Sequence, residues 1–254
     1  SLMPSRTDPA MELAGALLAR YNKTTDRADF DRAIAIYDRL ESSLGPTLPV
    51  TAQKVRAFTQ RKDTLVTEAA LLALAKAAPG DVDANIFVGQ VFDYLEKPDS
   101  ALFYFDRAEA ADTTDGTVYL ARADFFHSRG DSVAYDREVF RALQSQNIDF
   151  PQKFQLLSDY VVKLYTDSAQ RPRIEQMFET MLEVNPGEAS LHGLYGGYKG
   201  EVGELRAAAE QFSYSIDLDP TQRSIWGNLL QAYGQLEDRD QVLSTARKAL
   251  KFFP

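Results

Sequence analysis

Carboxylate pairs are the first candidates for chemistry in this sequence. Glu109 precedes Asp112 by three residues, and Glu237, Asp238 and Asp240 form a second acidic group. Two carboxyl groups that share a site can act as a general acid and a general base. These groups fall at predicted helix ends and turns of a chain with a net charge of −9, where solvated surface carboxylates are expected. We therefore predict no catalytic residue among them.

The histidines and one glycine-rich stretch are the remaining candidates. His127 and His192 are far apart, and neither has a second His or Cys at the spacing of zinc ligands, so no metal site is predicted. Glycines in the stretch 193–200 could let backbone amides approach a phosphate. The stretch follows no strand pattern and lacks the Gly-Lys-Ser/Thr end of a phosphate-binding loop. The sequence therefore predicts no cofactor, and we expect that the chain is not an enzyme.

The composition is that of a foldable chain with an acidic surface. Apolar residues make up 44% of the 254 residues, no cysteine is present, and the isoelectric point is near 4.9. This charge balance disfavours nucleic-acid binding, which depends on Lys and Arg releasing counterions. No apolar run reaches the roughly 18 residues that cross a bilayer, so direct membrane insertion is not predicted. The compartment stays open between a bacterial periplasm or envelope and the cytoplasm.

Prolines reveal a long internal period. Pro186, Pro220 and Pro254 recur at a constant spacing of about 34 residues, and each follows a segment with helical periodicity. Proline cannot continue a helix, so this recurrence marks a repeated helix end. Apolar residues recur at helical spacing on both sides of a turn within each period. The period therefore predicts repeated helical hairpins, which bury their apolar faces by stacking on their neighbours.

This period, with small, aromatic and proline residues at fixed places, resembles that of the tetratricopeptide repeat (TPR) family. The clearest matches are Trp226, Leu229, Tyr233, Ala249 and Pro254 in one repeat, and Tyr195, Gly196, Ala208, Phe212 and Pro220 in the repeat before it. The resemblance implies an all-α fold: a right-handed α–α superhelix, or TPR-like solenoid, of about seven stacked helical hairpins.

Repeats at this phase cover nearly the whole chain. Ser1 and Leu2 precede Met3, which suggests an expression scar, and we expect residues 1–11 to form an N-terminal extension of a solenoid spanning 12–254. The phase shifts by five residues at 150–154, which we interpret as a lengthened turn between repeats, with a domain boundary as the alternative. The predicted repeats are 14–47, 48–81, 82–115, 116–149, 155–188, 189–222 and 223–254.

The resemblance also implies which residues could bind a partner. In this family the first helix of each repeat lines the concave groove. Carried over position by position, the candidate groove residues are Arg56, Gln90, Tyr94, Asp124, His127, Lys163, Gly197 and Gln231. Their side chains make a polar groove of mixed charge, with Tyr94 and His127 as aromatic contacts.

These residues lead to one main functional expectation and two that stay open. We expect a non-catalytic scaffold that binds a protein or peptide through its concave groove. The alternative is a substrate-recruiting TPR arm of a longer enzyme such as a glycosyltransferase. Self-association is also possible, because Leu250, Phe252 and Phe253 are apolar residues near the end of the last repeat.

Overall fold

The fold is built from helices alone within the part of the chain that is described. The computed structural model describes residues 9–164 and 167–253, with every side chain except those of Lys163 and Leu164. One short 3-10 helix, Ser168–Gln170, accompanies the α-helices. In chain order these are α1 (Pro9–Thr24), α2 (Arg27–Leu44), α3 (Leu48–Gln60), α4 (Thr64–Ala77), α5 (Val82–Tyr94), α6 (Pro98–Ala111), α7 (Gly116–Ser128), α8 (Ser132–Gln144), α9 (Phe150–Leu164), α10 (Arg171–Val184), α11 (Ala189–Glu201), α12 (Leu205–Leu218), α13 (Arg223–Gln235) and α14 (Arg239–Ala249).

The helices belong to two compact units, which meet in sequence between Asp131 and Ser132. In the first unit, α1 packs on α2, α3 on α4 and α5 on α6, and each hairpin contacts the first helix of the next. In the second unit, α10 packs on α8, α9 and α11, while α11–α12 and α13–α14 form stacked hairpins. The expectation of an all-α helical-repeat fold is confirmed.

An aspartate lies directly before the first helix of three successive repeats. The Asp81 carboxylate accepts a hydrogen bond from the Ala84 amide at 2.8 Å, before α5. Asp115 does the same before α7, accepting from the Thr117 amide at 2.9 Å. Such N-caps satisfy amides that have no partner within the helix.

The third aspartate of this series overturns the predicted turn at 150–154. Asp149 accepts a hydrogen bond from the Gln152 amide at 2.9 Å, and α9 begins at Phe150. Pro151 is compatible with this, because proline fits the first turn of a helix. The prediction of a lengthened turn here is wrong: the five residues are the start of α9.

The extra residues instead fall before α10. Helices α5 and α6 begin at Val82 and Pro98, and helices α7 and α8 begin at Gly116 and Ser132. The number of residues between the start of the first helix and the start of the second is therefore the same in these two repeats. Helices α9 and α10 begin at 150 and 171, and their offset is longer by five residues. The repeat register therefore continues through the start of α9 and is lost between α9 and α10.

The N-terminal boundary also differs from the prediction. Helix α1 begins at Pro9, so residues 9–11 of the predicted extension are helical, and residues 1–8 lie outside the described part. Met11 and Leu17 pack against a buried cluster that contains Ala14 and Tyr37. Helix α1 therefore starts five residues before the predicted first repeat at 14, because its apolar residues continue the face that contacts α2.

Small residues let the two helices of a hairpin approach each other. A Cβ placed on Gly89 would lie 2.6 Å from Cε1 of Phe105, and one on Gly196 would lie 2.7 Å from Cδ1 of Phe212. Both glycines are in the first helix of a repeat and both phenylalanines in the second, and Gly196 and Phe212 are among the residues that carry the predicted repeat pattern. None of the described helices is both long and apolar enough to cross a lipid bilayer.

Candidate protein-binding faces

The first helices of the N-terminal unit share one exposed polar row. In this unit α1 contacts α3, α3 contacts α5, and α5 contacts α7. At equivalent places on these helices, one repeat apart, lie the exposed residues Asn22, Arg56, Gln90 and Asp124. The residue before each of the last three is buried: Val55, Gly89 and Ala123. The row therefore follows the face that the repeat register predicts.

Arg56 lies at a small cavity between α1 and α3. Its volume is about 150 Å³, and its lining combines small residues with polar ones: Gly15, Leu18, Ala19, Asn22, Gln53, Arg56, Ala57 and Gln60. Within the described residues, no hydrogen bond or ion pair engages the Arg56 guanidinium, so its donors remain available to a partner. A guanidinium pairs well with a carboxylate or with backbone carbonyls.

Asp124 and His127 lie one turn apart on α7, and both are exposed. The surrounding protein displaces water from the Asp124 carboxylate and raises its pKa, while the charge of the nearby His127 opposes that rise. A carboxylate with incomplete hydration is well placed to accept hydrogen bonds from a bound chain. The predicted pair is therefore together on one helix face.

Tyr94 projects from the end of α5. Its side chain is 70% exposed. Beside it, Asp93 forms an ion pair with Arg129 at 2.5 Å, and the Arg129 guanidinium lies 3.7 Å from the centre of the Phe125 ring. These contacts join the C-terminal ends of α5 and α7, so the helix end that carries Tyr94 is held in place while the phenol faces solvent.

Gly197 and Gln231 come together in the C-terminal unit. They line a cavity of about 340 Å³ whose polar rim is formed by Glu201, Asn228, Gln231 and Gln235. A Cβ on Gly197 would meet nothing within 4 Å, so the glycine leaves open space there. Within the described residues, the three amide side chains of α13 have no hydrogen-bond partner. This cavity therefore offers free amide donors and acceptors beside an uncluttered backbone.

The remaining predicted groove residue, Lys163, cannot be placed in a binding face. Its side chain lies outside the described residues. In the register that continues through α9, the residue equivalent to Gln90 and Asp124 is Ser158, whose hydroxyl donates to the Phe154 carbonyl at 2.8 Å. The predicted repeats put Lys163 at that position because they placed the five extra residues at 150–154, which are the first residues of α9.

His192 has a structural role that recurs at the same place in other repeats. Its Nδ1 lies 2.8 Å from Oε1 of Gln211, and its Nε2 lies 3.2 Å from the carbonyl of Pro186, six residues earlier. Trp226, one repeat later, donates from Nε1 to the Pro220 carbonyl at 2.9 Å. These side chains connect the start of a first helix to the preceding turn.

Three of the five acidic residues considered at the outset, Glu109, Asp112 and Asp238, have structural partners. Glu109 contacts Arg122, which connects α6 to α7. Asp112 accepts from the Thr114 amide at 2.8 Å, and Asp238 caps α14 by accepting from the Gln241 amide at 3.1 Å. Among the described residues, no group of three or more His, Asp or Glu side chains is arranged to hold a metal ion.

Helical hairpins stacked in a regular repeat, with small residues facing aromatic rings inside the hairpins, define an all-α helical-repeat protein. No protein-family model matches the sequence, and no curated protein sequence matches it.

The solved structures that the chain matches include TPR proteins. YrrB, described as a TPR protein with an unusual peptide-binding site, is 19% identical with a TM-score of 0.44, and the match covers 72% of this chain and 92% of YrrB. A TPR protein from Parabacteroides merdae is 16% identical with a TM-score of 0.42, over 88% of this chain and 92% of that one. PilF of Pseudomonas aeruginosa is 17% identical with a TM-score of 0.39, over 86% and 94%.

Proposed function

We propose that this chain is a non-catalytic interaction scaffold whose exposed first-helix faces bind an extended segment of another protein or peptide. The observation that carries the proposal is the row Asn22, Arg56, Gln90 and Asp124, exposed side chains that recur with the repeat on first helices packed side by side. A row with this spacing presents donors and acceptors at regular intervals to a chain lying across the helices.

The chemistry of the row favours a polar partner segment. Arg56 is cationic and Asp124 anionic, while Asn22 and Gln90 can each donate and accept hydrogen bonds. Amide side chains of this kind can pair with the backbone of an extended peptide, whose amides and carbonyls have no partner of their own. Tyr94, at the edge of the row, adds an exposed aromatic surface of the type that is enriched in binding hot spots.

Peptide selection on the intact chain tests the proposal. Peptides selected from a phage-displayed random library on the wild-type protein are synthesised with a fluorescent label, and their Kd values are measured by fluorescence anisotropy. We expect Arg56→Glu and Tyr94→Ala each to weaken a selected peptide by about tenfold or more, equivalent to about 1.4 kcal/mol.

Matched controls lie on second helices of the same unit. Arg39→Glu makes the same charge change on an exposed residue of α2, and Phe103→Ala removes an exposed ring from α6 that is 60% exposed. Neither control is expected to change the Kd beyond experimental error. If the two controls weaken binding as much as the first-helix variants do, binding through the first-helix row is excluded.

A further inference from the structure

The cavity between α11 and α13 in the C-terminal unit has a single formal charge in its lining. Glu201 lies on its α11 side, and the other lining residues are neutral. Within the described part of the chain, the Glu201 carboxylate has no hydrogen-bond or ion-pair partner. Lys199, the only lysine or arginine of α11, instead pairs with Glu175 at 2.5 Å and with Glu204 at 2.8 Å. The Glu201 carboxylate therefore stays unneutralised at the rim of the cavity.

Amide side chains of α13 form the wall opposite Glu201. Asn228, Gln231 and Gln235 are three and four residues apart, which places them on one side of the helix. Each amide offers a carbonyl oxygen as a hydrogen-bond acceptor. The cavity thus presents acceptors from two sides, as the several N–H donors of one ammonium or guanidinium group require.

The helix ends around the cavity also favour a cation. Helix α11 ends at Glu201 and α13 ends at Gln235, so both helices have their C-terminal ends here. The C-terminal end of a helix carries a partial negative charge. The start of α12 borders the cavity at Leu205, but the Glu204 carboxylate directly before it opposes the positive partial charge of that end.

The floor of the cavity is apolar. It is formed by Leu205, Ala208 and Phe212 of α12. Lysine and arginine side chains combine a hydrocarbon stem with a charged end, which matches an apolar floor beneath a polar, anionic rim. The volume of about 340 Å³ lies in the range of about 300–1,000 Å³ that is typical of small-ligand sites, so the cavity has room for a whole side chain.

Gly197 keeps the cavity open, although the packing of the helices does not require a glycine there. A Cβ on Gly197 would meet nothing within 4 Å, whereas one on Gly196 would lie 2.7 Å from the Phe212 ring. Glycine is unfavourable inside a helix and is typical of places where the backbone lies close to a ligand. A bound group, and not the packing of α12, therefore accounts for the glycine at 197.

We propose that this cavity binds a lysine or arginine side chain of a bound peptide segment. The inference rests on the proposed function, because it assigns one side-chain chemistry to the segment that the scaffold binds. It concerns the C-terminal unit alone, and its variants leave the row of Asn22, Arg56, Gln90 and Asp124 unchanged.

Nuclear magnetic resonance of the intact, isotope-labelled chain tests the proposal with short peptides as probes. The acetylated and amidated peptides GSKSG and GSRSG should shift the side-chain amide signals of Asn228, Gln231 and Gln235 in a saturable way. Norleucine in place of the lysine keeps the hydrocarbon stem without the charge, and should weaken binding by about tenfold or more. The absence of saturable shifts at these amides with either basic peptide, or equal binding of the norleucine peptide, would overturn the proposal.

Glu201→Gln removes the charge of the cavity with little change in shape, and should weaken the binding of GSKSG by about tenfold. Glu210→Gln makes the same charge change on an exposed residue of α12 and is the matched control. The two variants have the same net charge, so a general attraction of basic peptides to an acidic chain affects both equally. An equal loss of binding in both would therefore exclude recognition by the cavity.

Gly197→Leu fills the cavity and should also weaken the binding of GSKSG by about tenfold or more. Gly227→Leu is the control, on a residue of α13 that does not line the cavity and whose Cβ would also meet nothing within 4 Å. Both variants should keep the helical circular dichroism and keep or raise the Tm, because leucine favours a helix more than glycine does. Wild-type binding of GSKSG by a folded Gly197→Leu variant would show that the peptide binds elsewhere.

The outcomes distinguish this proposal from the proposed function. If the basic peptides do not bind, whereas Arg56→Glu and Tyr94→Ala weaken the selected peptides, the scaffold function stands and the assignment of a basic side chain to this cavity is wrong. If the basic peptides bind as expected and the row variants have no effect, the cavity assignment stands and the first-helix row of the N-terminal unit is excluded.

Discussion

Phe105 lies directly over Gly89, so close that a Cβ on the glycine would come within 2.6 Å of the ring. The same relationship recurs in the C-terminal unit between Gly196 and Phe212, at 2.7 Å. In both hairpins, the missing side chain of the first helix makes room for the aromatic ring of the second. The two hairpins therefore depend on the same pairing of a very small residue with a large one.

Gly89→Ala should destabilise the protein. The added methyl would meet the Phe105 ring and also the Ala101 carbonyl oxygen at 3.1 Å, and overpacking of this kind costs about 1–3 kcal/mol. That cost exceeds the helix-propensity gain from glycine to alanine of about 1 kcal/mol at most sites. Thermal and urea unfolding followed by circular dichroism should show a lower Tm and a lower urea midpoint.

Gly227→Ala is the control for this substitution. Gly227 lies in α13, where a Cβ would meet nothing within 4 Å, so only the helix-propensity gain of up to about 1 kcal/mol remains. Gly227→Ala should therefore raise the urea midpoint. If Gly89→Ala is also stabilising, the contact with Phe105 does not limit the packing of α5 on α6.

Phe105→Ala and Ala101→Leu should destabilise the same hairpin in opposite ways. The Phe105 side chain is buried, and its truncation leaves a cavity at a typical cost of about 3–5 kcal/mol. Ala101 is fully buried, so leucine there forces the two helices apart. Urea unfolding should show both losses, whereas truncation of the exposed Phe103 to alanine should cost less than about 1 kcal/mol.

The pairing of Arg20 with Asp29 predicts acid sensitivity of the first hairpin. Nε and Nη2 of Arg20 on α1 donate to the two oxygens of the buried Asp29 carboxylate on α2. These hydrogen bonds lower the pKa of Asp29 against the opposing effect of burial. Stabilisation from a lowered carboxyl pKa is present above the unfolded value of about 3.9 and is lost as the pH falls through the folded value.

Hydrogen exchange of the α1 and α2 amides at neutral pH and near pH 3 measures this loss. We expect protection to fall with acid in the wild type, and to be lower but less pH-dependent in Asp29→Asn. Arg20→Met should reverse the trend, because an unpaired buried carboxylate is relieved by protonation. The same acid response in the wild type and in Asp29→Asn would show that another group is responsible.

The repeat architecture could be predicted from the sequence because its signals are local. Prolines at 186 and 220 follow helix ends, and glycines at 89 and 196 sit where a ring from the next helix must fit. These residue types have few structural alternatives at such positions. The period also predicts that Arg56 and Gln90 lie on the same face, because helices that repeat in register place equivalent residues on the same side.

The shift of register could not be located from the prolines and aromatic residues that defined the period. The five-residue phase shift was interpreted as a turn at 150–154, although Pro151 is compatible with the first turn of a helix. The available signal was Asp149, which continues the regular series of Asp81 and Asp115. Capping aspartates mark helix starts more directly than prolines do, and they place the five extra residues after the start of α9.

The cavities could not be predicted because they depend on distances between helices. The sequence predicts that Gly197 and Gln231 lie on the same face. It does not predict the distance between α11 and α13, which leaves a cavity of about 340 Å³.

Tyr160→Phe should destabilise the C-terminal unit where the register shifts. The Tyr160 hydroxyl donates to Oδ1 of the buried Asp136 at 2.6 Å, and Arg173 forms an ion pair with Oδ2 at 2.6 Å, so the cluster joins α8, α9 and α10. Removing the phenol hydroxyl leaves one oxygen of a buried carboxylate without its donor, and hydrogen bonds to charged groups contribute about 1.5–3 kcal/mol. Urea unfolding at neutral pH should show a loss of this size, whereas Tyr214→Phe, on a residue of α12 that is 59% exposed, should cost almost nothing.

Measurements at alkaline pH distinguish the contribution of the Tyr160 hydroxyl to stability from that of the packing of its ring. Burial, together with the hydrogen bond to Asp136, raises the pKa of Tyr160. A raised phenol pKa contributes stability that is fully present below the unfolded value of about 10 and is lost as the pH rises above it. The stability difference between the wild type and Tyr160→Phe should therefore shrink between about pH 9 and pH 11, because only the wild type must keep this phenol protonated. A difference that is constant over this range would attribute the effect of the substitution to packing alone, and not to the hydroxyl.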